Sequence, residues 1–144
     1  VELPPQAGLR GAGSATMIWR TKNWVLRCHA SQCRRCGLIT YPVQRVCYRC
    51  QSKDDYEEVS LSQRRGRLFT YSIDNLAAAG INPPVVQSVV DFEGGARFYC
   101  MMTDCDPDAV EVEMPVEMTF RKIHELGNFH NYFWKCRPPR EGGD

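Results

Sequence analysis

The chain has 144 residues, 43% of them hydrophobic and 24% charged, with eight cysteines, three histidines and a net charge of +1. That size and mix exclude a multidomain enzyme and a chain disordered throughout. They fit one domain, or a small module attached to a compact one, with enough apolar residues to bury a core. No apolar run approaches the roughly 18 residues that a membrane helix needs. Val1 to Gly13 lacks the charged-then-apolar order of a signal peptide, so a cytoplasmic protein without membrane contact is expected.

Charge is unevenly spread. Arg20 to Arg67 holds 11 Lys/Arg against 4 Asp/Glu, a surplus of +7, whereas Leu68 to Asp144 holds 6 against 12, a deficit of −6. Two modules with different surfaces follow, and an acidic partner would prefer the first.

In chain order, residues 1–15 are rich in Pro, Gly and Ala without a hydrophobic period and are expected to form a flexible arm. Residues 16–30 set Met17, Trp24 and Leu26 among basic residues and are read as an N-terminal helical segment. Residues 31–53 contain two Cys-x-x-Cys pairs and are read as a rubredoxin-like zinc ribbon. The acidic link Lys53 to Glu58 then leads to residues 54–137, a series of short strands. Gly66 to Asp74 and Val85 to Phe92 are rich in β-branched and aromatic residues. Glu93-Gly94-Gly95 reads as a hairpin turn, with Ala96 to Thr103 returning. Asp104 to Asp108 has a loop composition. Val116 to Ile123 alternates Val116, Met118 and Phe120 against Glu117, Thr119 and Arg121, which predicts one buried and one wet face. Phe129 to Trp134 closes the series before Pro138-Pro139, and residues 138–144 are a flexible tail. The fold class is mainly β: a helical segment, the ribbon, then a small OB-type barrel.

Half of the cysteines lie in Cys33-Arg34-Arg35-Cys36 and Cys47-Tyr48-Arg49-Cys50, within 18 residues. This is ligand spacing, not the scattered spacing of disulfide staples. Two thiolates three positions apart can point at one ion, and two such knuckles complete a tetrahedral shell, so Cys33, Cys36, Cys47 and Cys50 are the predicted ligands of one structural zinc. Iron is the alternative, since soft tetrahedral sulfur sites accept either ion. Gly37 permits the turn beyond the first knuckle. A closed shell leaves no position for a catalytic water.

Cys28, Cys100, Cys105 and Cys136 invite a catalytic reading with His29, His124 or His130, but a cysteine in an alternating strand is most often a small core residue. Cys28-His29 also lies near enough to the ribbon to substitute as a ligand, although the two pairs already fill the shell. Arg34, Arg35, Arg45, Arg49, Arg64, Arg65 and Arg67 allow a second reading, a nucleic-acid-binding ribbon and OB module; against it stands the acidic barrel. Trp19, Trp24, Tyr41 and Tyr48 are candidate anchors at a protein interface or, for the tyrosines equally, packing within the ribbon.

The order of these features resembles the family once labelled domain of unknown function 35. The likeness runs from about Met17 to Trp134, through Cys33-Arg34-Arg35-Cys36-Gly37, Tyr41-Pro42, Cys47-Tyr48-Arg49-Cys50, Gly66 to Ser72 and Pro84-Val85-Val86. The resemblance implies a non-catalytic partner of a thiolase-like protein, assembled as a heterotetramer. The thiolase would supply the catalytic cysteine and histidines, and the small subunit would stabilise it and help hold CoA or the acyl group. Related complexes cleave 3-oxoacyl-CoA thiolytically, in reactions of the β-oxidation type, cleave sterol side-chain acyl-CoA by an aldol route, or transfer acyl groups. The stretch Ile123 to Tyr132 most resembles subunits of aromatic acyl-CoA degradation such as benzoylsuccinyl-CoA thiolase. CoA carries phosphates, so the basic ribbon is a suitable electrostatic neighbour.

Overall fold

The computed structural model describes residues 15–77, 80–126 and 129–140. Most of the expected arm and half of the expected tail lie outside them. Helix α1 spans Ala15–Val25 and is followed by β1 (His29–Cys33), β2 (Ile39–Thr40), β3 (Tyr56–Ser60), β4 (Arg65–Asp74), β5 (Val85–Phe92), β6 (Arg97–Met101), a 3-10 turn at Pro107–Ala109, β7 (Pro115–Leu126) and β8 (Phe129–Arg137). Among the described residues no helix is long and apolar enough to cross a membrane.

The barrel follows from strand alternation. In β5, Val86, Ser88, Val90 and Phe92 are buried and Gln87, Val89 and Asp91 between them partly wet; in β6, Phe98 and Cys100 point in and Arg97 and Tyr99 out. Glycines 94 and 95 take φ of +97° and +104° in the turn between them, a region closed to most side chains. The five strands pair antiparallel in the order β6-β5-β4-β7-β8. A register shift between Leu68 and Thr70 marks an irregularity in β4, the kind of device by which a strand bends around a barrel. The ends then meet: Met102 bridges Cys136, and the Thr103 amide donates to the Cys136 carbonyl at 2.8 Å. The result is the expected OB-type barrel, nearly closed.

Two details differ from the sequence reading. The acidic link runs into β3, which pairs with β1 from Cys33↔Tyr56 to His29↔Ser60 and is the third strand of the ribbon sheet β2-β1-β3. Its Glu57 and Glu58 are solvent-facing, and backbone pairing rather than apolar alternation holds it. In β7 the buried face runs out: Val116 and Met118 are buried, but Thr119 is buried as well and Phe120 is exposed. Phe120 instead meets Trp134 (5.2 Å, edge-on) and Tyr132 (6.0 Å, stacked) across the β7-β8 pair.

Ribbon and barrel share one core. Cys28, Ala30 and Ile39 lie in the same buried cluster as Leu68, Val90, Phe98, Val116 and Cys136. The tip of the β5-β6 hairpin seats beneath the first knuckle: the Ile39 amide donates to the Gly94 carbonyl at 2.9 Å. A Cβ on Gly94 would fall 2.6 Å from Ile39 Cδ1, and one on Gly95 would fall 2.9 Å from Leu38 Cδ1. These glycines therefore serve the docking as well as the turn. Tyr41 packs its ring 4.6 Å from Phe98 and donates its hydroxyl to the Trp24 carbonyl at 2.8 Å, while Trp134 Nε1 donates to the Leu26 carbonyl at 3.1 Å. The end of α1 is thus pinned to both modules.

Where the barrel closes, Asp104 accepts from Arg121 at 3.3 Å and from Arg137 at 3.4 Å, and Arg137 also meets Glu117 at 2.7 Å. Burial pushes the Asp104 carboxyl up, but the two guanidiniums outweigh it and hold it below the ordinary aspartate range. A depressed folded pKa stabilises the fold above the ordinary value, and that contribution is lost as pH falls through the folded one. Asp104 has φ of +55°, which asparagine tolerates, so Asp104→Asn removes the charge without adding backbone strain. The variant should melt below the wild type near neutral pH, with the gap closing in acid; thermal melts across the pH range read this directly, and a gap that widens in acid would contradict it.

Candidate metal centre

The two knuckles are near copies. In the first, the Gly37 amide donates to the Cys33 carbonyl at 2.8 Å; in the second, the Gln51 amide donates to the Cys47 carbonyl at 2.9 Å. Each turn ends in a left-handed residue, Gly37 at φ +73° and Gln51 at φ +60°. The sequence reading found the glycine and missed the glutamine, because no composition signal marks a left-handed Gln. Gln51 Nε2 donates back to the Tyr48 carbonyl at 3.1 Å, which helps hold the second turn. Val46 bridges Lys53, and outside that bridge Arg45 grips Asp54 through two hydrogen bonds of 2.6 and 2.9 Å. The Arg45 guanidinium pulls the Asp54 carboxyl below its usual range.

These hairpins bring the predicted residues together. The Sγ atoms of Cys33, Cys36, Cys47 and Cys50 lie within 4.8 Å of one another, with Cys33–Cys50 and Cys36–Cys47 each at 3.5 Å. A tetrahedral shell with metal–sulfur bonds of about 2.3 Å has sulfur–sulfur edges of about 3.8 Å, so the cluster fits one soft ion. Cys33 and Cys47 are buried, Cys36 and Cys50 half-buried, and Leu38 packs against them.

Ser52 went unremarked in the sequence. Its hydroxyl lies 3.1 Å from Cys33 Sγ and 3.2 Å from Cys50 Sγ. Hydrogen bonding from Ser52 pulls both thiols down, Cys33 to about 6. At Cys36 the Leu38 amide acts in the same sense, but burial and the neighbouring sulfurs of Cys47, Cys50 and Cys33 outweigh it and raise that thiol to about 11.

The remaining cysteines do not join the cluster. Cys28, Cys100 and Cys136 are sealed in the core, and Cys105 is half-buried. Burial pushes the Cys28 thiol up to about 12 and raises Cys105; the Cys136 sulfur and burial raise Cys100. Hydrogen bonding from Cys100 draws the Cys136 thiol down against its burial, but Cys28, Cys100 and Cys136 alike are sealed from any substrate, and enclosed thiols are poor nucleophiles. Ser88 fills the space among the inner ones, donating to the Cys100 carbonyl at 2.7 Å with Cys136 Sγ at 3.1 Å. His29 pairs with Glu58 at 3.1 Å, far in role from any cysteine. Of the four candidate anchors, Trp19 and Tyr48 are exposed, whereas Trp24 and Tyr41 are half-buried, Tyr41 against Phe98.

Residues 58–121 match the family model described as ChsH2, C-terminal OB-fold domain. A DUF35 domain-containing scaffold protein of Methanothermobacter thermautotrophicus is 36% identical over 112 residues, covering 75% of this chain and 84% of that protein. The chain belongs to the DUF35 family. Within reach of this DUF35 protein is also the benzoylsuccinyl-CoA thiolase subunit BbsA of Thauera aromatica, 26% identical over 94 residues, 65% of this chain and 63% of that one. The solved Ltp2-ChsH2(DUF35) aldolase superposes with a TM-score of 0.64 over 88% of this chain and 95% of that one; at 19% identity this is a likeness of fold.

The paired left-handed turns yield a test. Gly37 has nothing within 4 Å of where a Cβ would stand, so Gly37→Ala suffers only its backbone conformation, a loss of about 1 kcal/mol. Gln51→Gly relieves the matching strain in the second knuckle and should be neutral or stabilising. Urea unfolding should shift to lower denaturant for Gly37→Ala and should not for Gln51→Gly; a destabilised Gln51→Gly would show that its bond to Tyr48 outweighs the strain.

Proposed function

We propose that this DUF35 protein is a non-catalytic, zinc-binding subunit that complexes with and stabilises a thiolase-like enzyme acting on acyl-CoA. The reaction of the complex is thiolytic cleavage of a 3-oxoacyl-CoA, with an aromatic one such as benzoylsuccinyl-CoA as the substrate suggested by the BbsA relative. Cys33, Cys36, Cys47 and Cys50 bind the zinc, which supplies structure and no open coordination position.

The observation that carries the reading is an aromatic surface on a fold shared with enzyme subunits. Phe120 and Tyr132 stand exposed beside Trp134, which is tied to the end of α1 at Leu26, itself exposed, and Trp19 projects further along the same helix. Phe120, Tyr132 and Trp134 are contiguous, and contiguous aromatic residues of this kind are what interface cores are made of. The sealing of Cys28, Cys100 and Cys136 in the core supports a division of labour in which the partner supplies the nucleophile. Exposed Arg34, Arg35 and Arg49 on the ribbon would suit the phosphates of CoA.

The nucleic-acid reading receives less support. OB folds stack bases on the outer face of the central strands, here β5 and β6. On that face Arg97 is engaged by Asp91 through bonds of 2.6 and 2.7 Å and lies 3.7 Å over the Phe69 ring, so its charge and that ring are already in use.

The test is reconstitution. The purified chain should contain one zinc, lose it in Cys47→Ser, and show no thiolysis alone. With the thiolase encoded beside it, activity should appear. Trp19→Ser combined with Tyr132→Ser should weaken co-elution by about tenfold or more while leaving the melting temperature unchanged. Thiolysis by the isolated chain at the rate of the mixture, or tight binding of single-stranded DNA at physiological salt without retention of the thiolase, would overturn the proposal.

A further inference from the structure

We propose that Ser52 is a positioning residue of the metal centre, its single hydroxyl proton shared between the thiolates of Cys33 and Cys50 and so shielding one edge of the sulfur tetrahedron from electrophiles. The inference rests on the zinc reading above. Cys33 comes from the first knuckle and Cys50 from the second, so a single side chain straddles the seam where the two hairpins meet. Among the described residues the hydrogen-bond partners of the Ser52 hydroxyl are these two sulfurs, at 3.1 and 3.2 Å. The backbone of Ser52 has a separate task, accepting from the Cys47 amide at 2.9 Å. The hydroxyl can therefore be removed without breaking the hairpin.

A hydrogen bond to a metal-bound thiolate withdraws electron density from sulfur. It lowers the sulfur's reactivity toward alkylating and oxidising agents, and it holds the ligand in place if the metal–sulfur bond loosens. The effect is lopsided here. Each of the two half-buried ligands has one backbone amide on it, Leu38 at Cys36 and Ser52 at Cys50, but Cys50 has the hydroxyl beside it as well, whereas the side-chain neighbour of Cys36 is another sulfur, that of Cys47 at 3.5 Å. Both are open to a small reagent, but only Cys50 is tempered by a hydroxyl as well as an amide. The centre should thus have a protected side and a reactive side, and metal loss should begin at Cys36.

The experiment compares Ser52→Thr, which keeps the hydroxyl, with Ser52→Val, which has nearly the same shape and lacks it. Each zinc-loaded protein is treated with iodoacetamide, zinc release is followed with a chromogenic chelator, and the first cysteine modified is found by peptide mass spectrometry. The wild type and Ser52→Thr should be alkylated first at Cys36. Ser52→Val should react at Cys50 as readily as at Cys36 and release zinc about tenfold faster. Cobalt-loaded samples give a second reading: the sulfur-to-metal charge-transfer band should move to lower energy in Ser52→Val and stay in Ser52→Thr. Equal rates, equal sites and equal bands for the two variants would overturn the role of Ser52. A wild-type chain that holds no metal would instead overturn the zinc reading on which it stands.

Discussion

Four thiol-bearing side chains held within 4.8 Å of one another form an arrangement that mutual repulsion would open once they ionise, unless a cation sits among them. The ribbon around them has little else to hold it: its strands are two to five residues long, and its own buried cluster beyond the cysteines is Leu38. Sheets so short are marginal without a staple. Everything downstream starts at the first knuckle, because Leu38 and Ile39 follow directly from Cys36 and are the surfaces on which Gly94 and Gly95 rest. The metal site, the hairpin tip and the shared core are links of one chain of contacts.

This arrangement gives a rigid body more than a reactive one. The cysteines divide into four that face each other and four that stand apart, three of them sealed in the core and Cys105 half-buried, so the thiols best placed to react are those the metal would consume. What remains on the outside is a short helix pinned at its C-terminal end, an aromatic cluster on the β7-β8 pair, and a basic ribbon surface. A zinc staple that orients α1 against the barrel, through Tyr41 and Trp134, would present those surfaces in a fixed relation to a partner. Fixed presentation lowers the ordering cost of association, which is the physical advantage of a scaffold.

Much of this was legible in the sequence where a local rule dominates. Cysteine spacing located the four-cysteine cluster, and Gly94-Gly95 between two β-branched runs located the hairpin. The family resemblance agreed with both. What escaped was set by pairing across the chain. β3 carries Tyr56-Glu57-Glu58-Val59-Ser60 without alternation and is a strand because β1 lies beside it. Phe120 follows the apolar period yet stays exposed, since β7 runs on past the part of the barrel that could cover it. Ser52 gave no signal, because a serine two residues after a ligand becomes significant only when the second hairpin folds back on Cys33. Nor could sequence tell that the glycines of the turn also clear space for Leu38 and Ile39.

The most direct measurement is amide hydrogen exchange at Ile39, whose N–H donates to the Gly94 carbonyl, before and after metal is stripped by a chelator under reducing conditions. If one ion holds the knuckle that seats the barrel, removal should speed exchange at Ile39 and at the Cys33 and Cys47 amides by orders of magnitude. Amides in the β4-β5 pairing, such as that of Val90, should slow-exchange as before or lose far less protection. Unchanged protection at Ile39 in the metal-free protein would contradict the account, showing that the shared core alone holds ribbon to barrel.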